Sequence, residues 1–407
     1  MKKLLALLLA LTMAFSLVAC GDSNSSENNQ GGADQSNAQT RISDASNTEQ
    51  PETRVIVDVF NREVEIPYEV DSIICLGSMG PRFAAYLDVV DMMVGAEDLD
   101  IEKKSVRFDY SPVYHEQLKT LPSVGSGGGS GGNNGYPEQI IQVQPDVILA
   151  GFDPEAADEL QQQTGIPVVS IRYRNREFID EGFYRSMRVF AEVVGAEERC
   201  EEVFAYIDAC REDLNNRTKD IPDSEKLKAY TGAVTQSGSH GFYFSYVNFP
   251  PFLAVNALNV ADEFIEQVTG ADAATADKNN TAFLGQNGFD VDPEQIIKWD
   301  PDIIFLDPGN MNLVKDEYAA NPAYFESLRA IQNGEVYTMP STNAAGPNIT
   351  YLLINAYYAG TVLYPEQFSD IDLAEKAGEI MELMLGKDFF EEMEAGGLYY
   401  GKIVIGE

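Results

Sequence analysis

Two histidines in 407 residues are too few for the multi-histidine sites that usually hold zinc or manganese. Positive charge is also scarce: 28 Lys and Arg stand against 65 Asp and Glu, a formal net charge of −37. Phosphates repel so acidic a surface, which excludes nucleic acid as a partner. The four cysteines (Cys20, Cys75, Cys200 and Cys210) form no CxxC pair and suggest no disulfide framework. Cys200 and Cys210 fall ten residues apart on one expected helix, about 15 Å along its axis, too far to bridge. Cys75, within Ile73-Ile74-Cys75-Leu76, reads as a buried strand thiol. What the chain does have is a 44% hydrophobic share, ample for packed cores, and a length that suits two domains.

The apolar run from Leu4 to Val18 follows Lys2 and Lys3 and ends at Ala19-Cys20. A basic head, a short apolar core and small residues at the end describe an export signal, too short for a membrane span. The ending resembles a bacterial lipoprotein lipobox, which implies acylation of Cys20 after cleavage; the alternative is a plain secretory signal with a chance cysteine. Residues 1–20 are thus expected to be the signal. Residues 21–53 are Ser, Asn, Gln, Gly and Asp with almost no large apolar side chain, an expected flexible linker.

Residues 136–149 read YPEQIIQVQPDVIL and residues 292–305 read DPEQIIKWDPDIIF, an echo at an offset of 156. Each copy has Pro where a helix starts and ends in an apolar run suited to a buried strand. Two copies are too few for a solenoid and fit two similar lobes. Short apolar strands are expected at Ser72–Gly77, Val147–Gly151 and Val168–Ile171, then at Lys228–Val234, Ile303–Leu306 and Glu335–Met339, alternating with helices. That alternation gives an α/β class with parallel sheets covered on both faces. The expected division is an N-terminal α/β lobe over 54–177, a helical connector over 178–219 and a C-terminal α/β lobe over 220–407. Gly195 splits the connector and leaves Ala196–Lys219 as one amphipathic backbone helix.

VDVFNREVEIP (57–67), SIICLGS (72–78), the PEQII…PDVI block and NGEVYTMP (333–340) resemble the substrate-binding proteins of ABC importers. The similar branch is the iron-siderophore and cobalamin type. GFYFSYVNFPPFLAVNALNVADE (241–263) and NITYLLINAYYAGTVLYPEQF (348–368) resemble a subgroup that also includes molybdate and tungstate binders. The resemblance runs from about Arg54 to the C-terminus. It implies two Rossmann-like lobes, a ligand cleft between them, and delivery of a small metal complex to an ABC permease and its ATPase. It implies no cofactor, no catalysis and a monomer on a lipid anchor.

A cleft outside the carboxyl ends of both sheets would be lined by the loops that follow strands. The first, Gly77 to Arg82, offers Ser78, Met79 and Arg82 beside exposed backbone N–H groups, or is an ordinary strand-to-helix turn. The tract GSGGGSGGNNG (125–135) matches dinucleotide and nucleophile-elbow patterns, but so glycine-rich a tract satisfies almost any glycine motif. Leu121-Pro122-Ser123-Val124 is a poor strand to precede it. A cleft-edge loop carrying Asn134 and Tyr136 is the better reading. Arg172, Tyr173 and Arg174 follow the strand ending at Ile171; the arginines suit planar oxygen pairs or simple pairing with surface acids. In the second lobe His240, Tyr243 and Tyr246 form a Gly-rich aromatic wall, with His240 either a ligand contact or a hydrogen-bonded structural residue. His115 reads as surface. Asn348 and Tyr351 close the set.

The family docks through an acid on each lobe. Glu155 lies where the resemblance implies the first, while Ala344–Ile349, the region taken for the second, has no acid. The leading ligand is a ferric siderophore or a corrinoid such as cobalamin, followed by a molybdate or tungstate oxyanion, with haem also open. A secreted hydrolase using Ser130 and His240, or a lipoprotein without a small ligand, ranks below.

Overall fold

Ile73-Ile74-Cys75-Leu76 is apolar at every position, and a strand apolar on both faces belongs inside a covered parallel sheet. The computed structural model, which describes residues 52–77, 79–128, 132–173, 179–235, 238–269 and 288–406, places it there. An antiparallel hairpin, β1 (Thr53–Val57) and β2 (Glu63–Pro67), precedes the first sheet. That sheet holds β3 (Ile73–Leu76), β4 (Met93–Glu97), β5 (Ser123–Gly125), β6 (Val147–Ala150) and β7 (Val168–Ser170) in the order β5-β4-β3-β6-β7, all parallel. The β5 segment, a poor strand by its sequence, joins the sheet all the same. It is a three-residue edge strand, and Pro122 just before it removes no ladder hydrogen bond. In β4, Gly95 interrupts the apolar run; a side chain there would strike Val124 of β5.

The second lobe contains β8 (Lys228–Gly232), β9 (Phe244–Tyr246), β10 (Leu258–Asn259), β11 (Gly288–Asp290), β12 (Ile303–Leu306), β13 (Val336–Thr338) and β14 (Gly401–Lys402). Its sheet runs β10-β8-β12-β13-β14, parallel except for β14, while β9 and β11 pair separately.

The internal echo is structural. Helices Pro137–Val143 and Pro293–Trp299 both begin on proline and both end in a left-handed residue, Gln144 and Asp300. Asp146 then accepts a hydrogen bond from the Ser72 amide at 2.8 Å, and Asp302 one from the Lys228 amide at 2.9 Å. Ser72 and Lys228 are themselves 156 apart, so the same clasp fixes the strand β3 to β6 in one lobe and β8 to β12 in the other.

Helix Glu181–Val194 starts on Asp180, whose side chain accepts from the Gly182 and Phe183 amides, and stops at Gly195 in the left-handed region. The next helix, Glu197–Thr218, buries Cys200, Val203, Phe204, Ile207, Cys210 and Leu214, one stripe at helical spacing. Its 22 residues extend about 33 Å. Arg199 near its start bonds to the Tyr86 and Leu383 carbonyls, and Arg217 near its end pairs with Asp370, so the helix is fastened to both lobes. Cys75, Cys200 and Cys210 are free, buried thiols.

Candidate functional site

The carboxyl ends of β3, β4, β5 and β6 bring several turns together in the first lobe. Gly77, left-handed at φ 75°, ends β3 and packs against Gly151 and Phe152 after β6. Glu97 ends β4 and is only 2% exposed. Its Oε1 accepts from the Gly77 amide at 2.8 Å and from Asn134 Nδ2 at 2.8 Å. Asp98 accepts from the Ser123 hydroxyl at 2.5 Å and the Tyr136 hydroxyl at 2.8 Å. Asp100 accepts from the Tyr110 hydroxyl through Oδ1, while its buried Oδ2 has no partner; the same holds for Asn134 Oδ1. Burial raises Glu97 to about 7, with the Gly77 bond opposing and the Asp100 charge adding. Burial likewise raises Asp100 to about 6.

Arg82, a candidate ligand contact by sequence, is engaged within the protein. It is fully buried, with Nε 2.7 Å from Asp109 Oδ1. Its Nη1 and Nη2 donate to the Ala345 and Ala344 carbonyls, and Nη2 to Asn348 Oδ1 at 2.6 Å. Asn348 is engaged on both ends, taking the Asp109 amide at 3.2 Å and donating to the Arg107 carbonyl at 3.1 Å. The Tyr351 hydroxyl donates to the Val106 carbonyl at 2.6 Å, and the Tyr86 hydroxyl accepts from the Ile349 amide at 3.0 Å while donating to Asp109. Arg82, Asn348 and Tyr351 therefore form a seam between the lobes, their polar groups bonded to one another and to backbone carbonyls. Sequence reasoning saw polar residues after strands and could not see that they satisfy one another.

Met79 and Tyr173 are buried instead: Met79 has no exposure, and Tyr173 packs edge-on against Phe183 at 5.6 Å. Arg172 is ion-paired with Asp153. His115, expected on the surface, is buried with Nδ1 2.9 Å from the Asp100 carbonyl, because its helix turns it inward. Ser78, Ser130 and Arg174 lie outside the described residues, as does Cys20.

In the second lobe Asp307 follows β12 and is 5% exposed. It accepts from the Thr235 hydroxyl at 2.6 Å and the Gly309 amide at 2.9 Å. Burial raises its carboxyl, opposed in part by the Arg107 charge from the first lobe. Asn310 donates to the Ala233 carbonyl at 2.7 Å, and its buried Oδ1 has no partner. His240 stacks on Phe244 with centroids 3.6 Å apart. Tyr243 leans on Tyr324, and Tyr246 on Phe249; all three candidates are half-buried. The Glu317 carboxylate accepts from the Phe242 amide at 2.6 Å and holds this loop.

Arg107 was not anticipated. It is exposed, and among the described arginines its side chain alone makes neither a hydrogen bond nor an ion pair. Its backbone is held rigidly by Asn348, and its charge reaches Asp307 across the lobes. Only the tertiary structure separates it from the paired arginines. Glu155 is exposed in the first turn of helix Pro154–Thr164. Its counterpart under the 156-residue offset is Met311, at the start of helix Met311–Ala320, so the second-lobe equivalent is not Ala344–Ile349.

Among the described residues no group of three His, Cys, Asp or Glu is arranged to hold a metal ion. Two surface hollows lie on the connector helix and its neighbours and share no residue with the strand-end loops.

A periplasmic binding protein family model matches residues 96–342, more than half the chain. The molybdate-binding protein MolA of Haemophilus influenzae is 22% identical over 340 residues, 79% of this chain and 87% of the relative. The Fe(3+)-citrate-binding protein YfmC of Bacillus subtilis is 24% identical over 200 residues, 49% of this chain and 55% of the relative. Among solved structures, a periplasmic solute binding protein from Veillonella parvula matches with a TM-score of 0.60 at 17% identity, covering 85% of this chain and 97% of that one. Molybdate-bound MolA matches at 0.58 and 19% identity, covering 83% and 99%. At such identities the structural matches establish the fold alone.

Proposed function

The chain belongs to the periplasmic binding protein family, as a substrate-binding protein of an ABC transporter, and from that premise we propose that its cleft captures an anionic metal complex with oxygen donors, a ferric chelate of the siderophore or citrate class foremost. The observation that carries this reading is Arg107, an exposed arginine whose side chain makes no hydrogen bond or ion pair among the described residues of a chain with net charge −37, and whose charge reaches the buried Asp307. With 65 acids available, a cation left unpaired at the junction of both lobes suits an incoming negative group. Asn134, Tyr136, His240, Tyr243 and Tyr246 are the half-buried polar and aromatic residues that complete the wall. The test is a thermal-shift panel of ferric citrate, ferric hydroxamates and catecholates, cobalamin, haem, molybdate and tungstate. A ligand at a hundred times its dissociation constant adds about 2.7 kcal/mol. A shift with ferric citrate or a ferric catecholate, both anions, supports the reading; a shift with cobalamin or a neutral ferric hydroxamate alone overturns the anionic assignment.

A molybdate or tungstate oxyanion is the second reading, favoured by a match to MolA that covers far more of both chains than the match to the ferric-citrate binder. A shift with the oxyanions alone selects it.

Delivery to a permease and its ATPase, by a monomer held on a lipid at Cys20, completes the proposal, with Glu155 as the first-lobe docking acid. A lipoprotein relative in Bacillus subtilis supports the anchor. Among the described residues no helix is long and apolar enough to cross a membrane. The chain makes and breaks no bond in this role.

A further inference from the structure

In the sheet order β5-β4-β3-β6-β7, β4 has a neighbour on each side, so its last residue stands between the turns that follow both neighbours. That residue is Glu97. Its Oε1 takes the Gly77 amide from the turn after β3 and the Asn134 amide group from the segment after β5, each at 2.8 Å. The two turns do not bond to each other through any described side chain; they meet through this oxygen. Gly127 runs close over the same point: a Cβ there would lie 2.5 Å from Leu99 Cβ and 3.4 Å from Glu97 Cβ. The second lobe repeats the device. β12 also has neighbours on both sides, and Asp307, the residue after it, binds Thr235 from the turn after β8.

We propose that Glu97 is a positioning residue of the ligand site: one buried carboxyl oxygen fastens the turn after β3 to the Asn134 segment and sets the shape of the first lobe's half of the cleft. The proposal rests on the cleft reading above. A carboxylate in that place also opposes an anionic ligand, so the protonated form is the one that favours binding. The groups facing Glu97 are Asp98 and Asp100 on its own segment, Cys75 from β3, Tyr110 at the start of helix Ser111–Leu118 and Tyr136 beyond β5. Of these, Asp100 and Asp98 add negative charge, and Asp100 titrates in the same range.

The test compares the wild type with Glu97→Gln, Glu97→Ala and Asn134→Ala, all on the intact protein. Gln keeps the acceptor oxygen and removes the charge; Ala removes both bonds; Asn134→Ala removes one bond from a half-buried position and leaves Glu97 in place. Hydrogen exchange is read at the Gly77 and Asn134–Tyr136 segments, and affinity for ferric citrate and for molybdate from pH 6 to 8. Glu97→Ala is expected to speed exchange in both segments together and weaken binding roughly tenfold. Glu97→Gln is expected to recover most of both and to flatten the pH profile of molybdate binding. Asn134→Ala is expected to weaken binding in the same direction with the fold intact. If Glu97→Ala binds the wild type's ligand equally well, or if only one segment loosens, the positioning role is overturned and the cleft reading stands. A wild type that binds neither probe but takes cobalamin overturns the anionic argument; one that binds nothing in the panel overturns cleft reading and proposal together.

Discussion

Arg82 and Asn348, 266 positions apart, share a 2.6 Å hydrogen bond sealed from solvent between the two lobes. The same guanidinium forms a buried ion pair with Asp109 at 2.7 Å. Removing one partner of such a pair leaves the other charged, buried and uncompensated, a loss of about 3–5 kcal/mol. Arg82→Ala is therefore expected to lower stability by that order in urea denaturation. Arg82→Lys should recover little, because an ammonium cannot reach Asp109, Asn348 and two carbonyls with one planar fork. A midpoint within error of the wild type would show that the seam contributes nothing to stability.

Glu97 gives the fold a pH dependence of definite sign. Its carboxyl is raised from an ordinary 4.5 to about 7, so between those values the folded chain holds a proton that the unfolded chain has lost. Stability is thus fullest below pH 4.5 as far as this group is concerned, and falls as pH rises toward 7 by about 3 kcal/mol. Glu97→Gln should flatten that fall by a comparable amount, with the remaining slope in the same direction from Asp100, itself raised to about 6. Urea midpoints at pH 5, 6, 7 and 8 decide it; parallel profiles for wild type and variant would count against a buried carboxyl of raised pKa at β4.

Arg107→Ala tests the charge of the ligand without disturbing the seam, since only the backbone of Arg107 takes part there. Charge-assisted hydrogen bonds contribute about 1.5–3 kcal/mol, so binding of a ferric chelate or oxyanion should weaken on the order of 10- to 100-fold while the melting temperature of the free protein holds. Isothermal titration at low and at high salt makes the comparison. Equal affinities for the two proteins would remove Arg107 from the site.

The lobes were legible in the sequence because burial on both faces leaves a signature. Ile303–Leu306 is apolar throughout, and the PEQII echo carries helix, turn and strand together. The site was legible only as a set of loops. Nothing in the order of residues distinguishes Arg82, whose donors are engaged in the seam, from Arg107, whose side chain makes no hydrogen bond or ion pair among the described residues; both are single arginines near aromatic residues. Glu97 was invisible for a related reason. Its importance comes from β4 lying between β3 and β5, and Gly95 and the Pro122 that precedes β5 hid both strands from a reading by apolar runs.

The seam is expected to limit motion on ligand binding. Helix Glu197–Thr218 is fastened near both ends, through Arg199 to Tyr86 and Leu383 and through Arg217 to Asp370. Arg82 ties Ala344, Ala345 and Asn348 of the second lobe to Asp109 of the first. Closure by a large hinge needs a few residues free to change their backbone angles, and the contacts here hold those positions. Solution scattering of free and ligand-saturated protein should therefore give radii of gyration within about 0.5 Å, against roughly 20 Å for a compact chain of this size. Arg82→Ala, if it folds, should widen that difference by freeing the seam while the long helix stays whole. A wild type whose radius contracts by several times the expected limit would show that the buried network opens during the cycle, and that Arg82 and Asn348 are partners in one state alone.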